Sequence, residues 1–198
     1  MLTGIILAAG SSERMGKEKL TMELNGMTVI EMVLNNAISS NLDEIILVYK
    51  DPNIGLLANK KKIKAIYNKN ASNGQSESIK IGVANAKEES NYLFLLGDQP
   101  FIFSEIINRI INNFNKDKDK IIIPYYAGVR GNPVLLPNKF KKELLSLSGD
   151  EGARNIFRKY NSEIRIEAFE NHMYNLDIDN IKDYELAKSF LYSFNNAD

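Results

Sequence analysis

The chain has 198 residues, 44% of them hydrophobic, which suits one domain with a full core. Its 25 basic and 25 acidic residues cancel, so no net field draws it to nucleic acid or to an anionic membrane. It has no cysteine and a single histidine, His172, which excludes disulfides, thiolate ligands, cysteine nucleophiles and multi-histidine metal sites and argues against a Ser-His-Asp triad.

The apolar run Ile5-Ile6-Leu7-Ala8-Ala9 predicts a buried strand, after which Gly10 opens a polar loop carrying Ser11, Ser12, Arg14, Gly16, Lys17 and Lys19. Such a loop suits an anionic ligand, because its N–H groups and cationic side chains can converge on phosphate oxygens. It is not a P-loop: five residues separate Gly10 from Gly16, and Glu18 follows Lys17. Nor does it carry the dinucleotide-binding glycine fingerprint. Met22-Glu23-Leu24 with Asn25-Gly26 predicts a short extended piece and a turn. Thr28 and Glu31 form a capping-box pattern that opens a helix over about 28–40, with Ile30, Val33, Leu34, Ala37 and Ile38 on one face.

A strand at 44–49, a short helix at 52–60 and a strand at 63–67 follow. The Asn- and Ser-rich stretch 68–78 is a loop leading into a helix at about 77–88. The most hydrophobic strand, 92–96, ends in Gly97-Asp98-Gln99-Pro100. A helix around 106–114 and a strand at 121–123 come next. Beyond them the pattern predicts a short strand at 134–136, a helix at 139–147, and a further helix opened by residues 149–154. Late strands at 164–169 and 174–178 and a C-terminal helix bearing Tyr184, Ala187, Leu191 and Phe194 complete the chain. No apolar stretch approaches the ~20 residues needed to span a bilayer, and the N-terminus reads as a strand rather than a signal peptide, so a cytoplasmic protein without a membrane partner is expected.

Strands alternating with helices through residue 123 predict an α/β fold, a three-layer α/β/α sandwich around a mostly parallel sheet. Ligands in such sheets bind beyond the C-terminal ends of the strands, so loops 10–19, 68–78 and 97–100 are expected at one edge. Asp98, held rigidly by its strand, is the best candidate to ligate a hard divalent ion such as Mg²⁺ or Mn²⁺. Asp177 and Asp179 would alternate on the predicted strand and point to one side, offering a second ligand, although Asp179 could instead cap the last helix. Arg14 and Lys19 suit nucleotide phosphates, while Lys17 reads as a surface lysine.

The pattern Leu-Ala-Ala-Gly-x-Ser-x-Arg-Met-Gly-x-x-Lys, from Leu7 to Lys19, resembles the signature of nucleotidyltransferases with a Rossmann-like, glycosyltransferase-A-like fold. Its Ala8-Ala9-Gly10 form is most similar to the MobA-like molybdenum cofactor cytidylyltransferases, where Ala-Ala-Gly goes with CTP and Ala-Gly-Gly with GTP. The resemblance covers nearly the whole chain, as a single nucleotidyltransferase domain with a nucleotide-binding half at about 1–123 and an acceptor-binding half at about 124–198. It implies that Leu7, Ala8, Ala9, Gly10, Ser11, Arg14 and Lys19, the base- and ribose-reading segment Asn73, Gly74, Gln75 and Ser78, and Asp98 bind the nucleotide. Arg14, Lys19 and Asp98 would be catalytic, and Asp98 the metal ligand of the Gly-Asp-Gln-Pro motif. Asp177 and Asp179 resemble an Asp-x-Asp-Thr element in which Asn180 replaces the threonine; one of them would be the second ligand. Arg130, Asn132 and Pro133 resemble a Gly-Asn-Pro acceptor segment, and Asp150 and Arg154 belong to a matching Gly-Asp-x-Gly-Ala-Arg element.

The implied reaction is transfer of CMP from CTP to the terminal phosphate of molybdenum-bound molybdopterin, releasing pyrophosphate. An ionised phosphomonoester needs no base to attack, which agrees with a chain lacking histidine and cysteine candidates. The product would serve molybdenum hydroxylases, making an apo-hydroxylase or its accessory protein a candidate partner. Open alternatives are a guanylyltransferase for the same pterin, an isoprenoid-pathway cytidylyltransferase, a sugar-1-phosphate enzyme, or a non-catalytic chaperone delivering cofactor to a hydroxylase.

Overall fold

The computed structural model describes residues 1–10, 19–150 and 152–195. Ser11, Arg14 and Lys17 therefore lie outside the described residues. The chain runs β1 (Leu2–Ala8), β2 (Glu23–Leu24), β3 (Met27–Thr28), α1 (Val29–Ile38), β4 (Glu44–Tyr49), α2 (Pro52–Lys60), β5 (Lys64–Tyr67) and α3 (Gln75–Asn85). It continues with β6 (Asn91–Leu96), α4 (Ser104–Asn115), β7 (Ile121–Tyr126), β8 (Val129–Arg130), β9 (Val134–Leu136), α5 (Lys141–Leu145), α6 (Arg154–Lys159), β10 (Ile164–Phe169) and α7 (Ile181–Asn195).

An eight-stranded sheet in the order β10-β7-β9-β6-β1-β4-β5, with β8 paired to β7, forms the middle layer. β1 is parallel to β4 and β6, β4 to β5, and β7 to β10, whereas β9 runs antiparallel to both β6 and β7. Alternation along the strands sends side chains to two cores. Ile6, Leu47, Leu93 and Leu95 meet α1, α2, α4 and α7 on one face. Ile5, Ile46, Val48, Tyr92 and Phe94 meet α3, α5 and α6 on the other. The three-layer α/β/α sandwich with a mostly parallel sheet is thus present. From central β1 the chain builds outward through β4 and β5, then crosses back to β6 on the opposite side of β1. The C-terminal ends of β1 and β6 therefore flank the switch point, where open α/β sheets bind ligands.

Local chemistry explains most element ends. Thr28 caps α1 in a full capping box, its hydroxyl accepting from the Glu31 N–H at 3.3 Å while the Glu31 carboxylate accepts from the Thr28 N–H at 2.8 Å. Asn25 and Gly26 take positive φ in the β2–β3 turn. α3 starts at Gln75 rather than 77, because its first N–H groups find distant acceptors: Gln75 N–H donates to Asp150 Oδ1 and Ser76 N–H to the Gly149 carbonyl. The predicted helix at 139–147 is a 3₁₀ turn, Asn138–Phe140, followed by the shorter α5.

One expectation is overturned. Tyr174–Ile178 is not a strand but the end of a 3₁₀ turn, His172–Asn175, followed by an irregular extended segment. The alternating apolar residues Tyr174, Leu176 and Ile178 imitate a strand, yet they pack against the α1–α4 core instead of joining a ladder. Asn171 caps the turn through the Met173 N–H, and Ile178 N–H donates to the Asp98 carbonyl at 3.1 Å. Among the described residues no helix is long and apolar enough to cross a membrane.

Candidate active site

At the C-terminal edge of the sheet a cavity of about 870 Å³ lies between the ends of β1, β4, β5 and β6 and the start of α3. Leu7 and Ala8 at the end of β1, Ala9 and Gly10 just after it, Gly74, Gln75 and Ser78 from α3 and the residue before it, and Lys19 and Asp98 all line it. A smaller cavity of about 350 Å³ shares Leu7, Gln75 and Leu96 with the first and is lined further by Arg130, Asn132, Arg154, Phe157 and Asp177. Residues more than a hundred positions apart thus border one continuous depression.

A charged cluster borders the larger cavity, with Lys19 and Asp98 in its lining and Asp179 beside them. Lys19, in a 3₁₀ turn after the first loop, places Nζ 2.6 Å from Asp98 Oδ2 and 2.7 Å from Asp179 Oδ1. Burial alone would lower the pKa of this ammonium, but the Asp98 charge and hydrogen bonds to Asp179 and Asp98 outweigh it and hold the pKa above its usual value. Asp177 faces the smaller cavity, and its carboxyl is pushed up to about 7, first by burial, then by the charges of Asp98 and Asp179. The expectation that Asp177 and Asp179 lie on one side of a strand is therefore corrected: the backbone is irregular there, Asp177 is half-buried at the smaller cavity, and Asp179 is more exposed and reaches Lys19. Among the described residues no three carboxylate or imidazole groups could by themselves hold a metal ion. Asp98 and Asp179, converging on one cationic nitrogen, do fit a hard divalent ion that takes one or two carboxylates and completes its shell with phosphate oxygens and water.

Asn180, the departure from the threonine pattern, caps α7. Its Oδ1 accepts from the Lys182 and Asp183 N–H groups at 2.8 and 3.2 Å, and the Asp183 carboxylate accepts from the Asn180 N–H at 3.0 Å. Asparagine caps a helix at least as well as threonine. The cap that Asp179 might have supplied is thus made by its neighbour.

Other predicted residues fall in different places. Asn73 is exposed and lines neither cavity. Pro133, after a cis Asn132–Pro133 bond, is buried and also lines neither. Asp150, expected beside the acceptor, instead borders the larger cavity and accepts from Gln75 N–H at 3.1 Å. Gly74 (φ +101) makes that approach possible, since a Cβ there would meet Asp150 Oδ1 and the Gly149 backbone at 2.6 Å. Arg130 and Arg154 both line the smaller cavity.

Two positions escaped sequence reasoning. Asn175 Oδ1 accepts from Gln99 Nε2 at 3.2 Å and from Asn132 N–H at 3.1 Å, tying the segment after β6 to the one before β9. Gly131 permits this, because a Cβ there would collide with the Asn175 amide. Asn68, 1% exposed, donates to Ser78 Oγ at 3.0 Å and so positions a lining hydroxyl. No spacing or motif in the sequence marks either.

Residues 4–164 match the MobA-like NTP transferase domain. The chain belongs to that family. Nucleotidyl transfer is the family's chemistry, and relatives in molybdenum cofactor synthesis stand on both sides of the base choice. The molybdenum cofactor cytidylyltransferase of Escherichia coli (strain K12) is 30% identical over 198 residues, 93% of this chain and 94% of that one. A probable molybdenum cofactor guanylyltransferase of Natranaerobius thermophilus is 33% identical over 128 residues, 64% of this chain; the match spans 62% of that relative's length. Among solved structures, Rv0371c from Mycobacterium tuberculosis H37Rv superposes with a TM-score of 0.82 at 24% identity, covering 95% of this chain and 97% of that one, and it has also been solved in complex with manganese. These structures share the fold of this MobA-like chain.

Proposed function

We propose that this MobA-like chain transfers CMP from CTP to the terminal phosphate of a molybdenum-bound pterin, releasing pyrophosphate. The observation that carries the reading is the pair of adjoining cavities, the larger lined by Lys19 and Asp98 with Asp179 beside them and the smaller lined by Arg130, Arg154 and Asp177. In this reading the larger cavity takes the nucleotide and the smaller one the acceptor phosphate, with the first part of the chain, about 1–123, serving the former and the rest mainly the latter.

An acceptor oxygen forms a bond to the α-phosphorus while the bond from that phosphorus to its bridging oxygen breaks, and pyrophosphate leaves with the electron pair. The acceptor phosphate is ionised near neutrality and needs no base. The residues therefore act by placement and charge. Arg130 and Arg154 hold the acceptor phosphate in line, Gln75 and Ser78 orient the nucleoside, and Lys19, joined by Arg14, neutralises the departing phosphates. Asp98 and Asp179 would hold a divalent cation, which when bound supplies Lewis-acid neutralisation of phosphate charge. The manganese complex of the mycobacterial fold neighbour supports use of such an ion.

The Ala8-Ala9-Gly10 form and the near full-length match to a cytidylyltransferase support CTP. The test is pyrophosphate release with Mg²⁺ and the molybdenum-loaded pterin phosphate, offering CTP, GTP, ATP and UTP separately. CTP-selective release is the expected result. GTP selectivity would make the chain a guanylyltransferase, and binding of nucleotide without release would favour a cofactor-delivery role.

A further inference from the structure

We propose that the acceptor cavity continues outward into a second anion subsite, formed by Arg158 with Arg154 and Tyr125, which takes a second negatively charged group on the phosphorylated acceptor. The inference rests on the reading of the smaller cavity as the acceptor's. A groove of about 490 Å³ shares Arg130, Arg154 and Phe157 with that cavity and extends from it to Tyr125, Arg158 and Ile166.

The geometry follows from three short elements. Arg154 and Arg158 lie four positions apart on α6, so they share a face, and Phe157 beside them is buried. Arg130, on β8, places its guanidinium carbon 4.4 Å from the centre of the Phe157 ring. Tyr125 is the direct cross-strand partner of Arg130 in the β7–β8 ladder. Three guanidinium groups and a phenol thus rim a groove whose apolar side includes Ile166, 53% exposed on the edge strand β10.

Among the described residues no carboxylate forms an ion pair with this rim. The ion pairs among the described residues engage Lys19, Lys80, Arg109, Lys139, Arg165 and Lys188, and none of the three rim arginines. Arg158 donates to the neutral amide of Asn155 at 3.3 Å. Burial lowers the pKa of Arg130; Tyr125 opposes that shift, and the like charge of Arg154 adds to it. Like charges kept together in a groove are relieved by an anion, and the forked guanidinium suits phosphate or carboxylate. One phosphate in the inner cavity can satisfy Arg130 and Arg154. Arg158 lines the outer groove but not that cavity, and the apolar strip accommodates a carbon skeleton between the two. The ligand that fits carries a second anionic group beyond its phosphate, with the skeleton that joins them lying along the apolar strip.

Calorimetric titration of the intact protein with alkyl monophosphates and α,ω-alkane bisphosphates of matched, increasing length tests this. Above a threshold length the bisphosphate should bind about tenfold more tightly than its monophosphate, the gain of one charge-assisted contact. In Arg158→Gln the ratio should fall to about one, whereas Arg165→Gln, which removes the ion pair to Asp117, should keep it. No gain at any length, or a gain that survives Arg158→Gln, would overturn the proposal. These titrations need no turnover. A bisphosphate gain without nucleotidyl transfer would refute the proposed reaction alone, and transfer without the gain would refute the subsite alone.

Discussion

The ammonium of Lys19 stands 2.6 Å from the carboxylate of Asp98, although 79 positions separate them in sequence. A second contact at 2.7 Å to Asp179 makes this one nitrogen the link between the loop after β1, the end of β6 and the segment before α7. The same nitrogen lies between the two carboxylates best suited to a divalent cation, so ammonium and metal must share or exchange those oxygens. Lys19→Met should therefore tighten Mn²⁺ binding to the nucleotide-free protein by about tenfold, measured by calorimetry, since the competing charge is gone. Unchanged or weaker Mn²⁺ binding would show that the ammonium does not compete.

The Asp177 carboxyl titrates at about 7 in the folded chain against an ordinary 3.8. A raised carboxyl pKa means that the folded state binds the extra proton, so its contribution to stability is fully present below about pH 4 and is lost as pH rises through 7. Urea unfolding of the metal-free protein in chelator should show stability falling by about 1 kcal/mol per pH unit through this window. Asp177→Asn should flatten that slope. An equal slope in the variant would place the titration elsewhere.

Asn175 fastens Asn132 to Gln99, and its removal leaves two donors without their acceptor. Asn175→Ala should cost roughly 1–3 kcal/mol in denaturant unfolding. Because the loosened segment lines the smaller cavity, KM for the acceptor should rise more than KM for the nucleotide. A uniform loss in both would mean that the tether serves folding alone.

Asn180→Ala should destabilise the protein by about 1 kcal/mol through loss of the α7 cap, whereas Asn180→Thr should stay within about 0.5 kcal/mol of the parent, both read from thermal or urea unfolding. Equal losses in the two variants would show that the amide does more than cap.

Features governed by neighbours in sequence were legible from the sequence. The β1 strand with its Ala8-Ala9-Gly10 exit, the Thr28 capping box and the position of Asp98 after an apolar strand each depend on a few adjacent residues. The failures share a physical cause: their determinants are distant. Tyr174–Ile178 carries strand-like alternation, but the Leu176 N–H bonds to the Met173 carbonyl of the turn and the Ile178 N–H to the Asp98 carbonyl instead of a ladder. The start of α3 depends on acceptors from Gly149 and Asp150, and Asn175 gains its role only where Gly131 leaves room. Asp150 belongs to a motif whose resemblance places it with the acceptor, and the fold sets its carboxylate against the first N–H of α3.

The central claim, nucleotidyl transfer directed by the Lys19–Asp98–Asp179 cluster, is tested most directly by following isotope from the α-phosphorus of CTP. With Mg²⁺ and molybdenum-loaded pterin phosphate, the label should appear in the pterin product in step with pyrophosphate release, and Asp98→Ala should reduce that transfer by at least about a hundredfold. Undiminished transfer in Asp98→Ala, or label that never leaves CTP in the parent protein, would contradict the account.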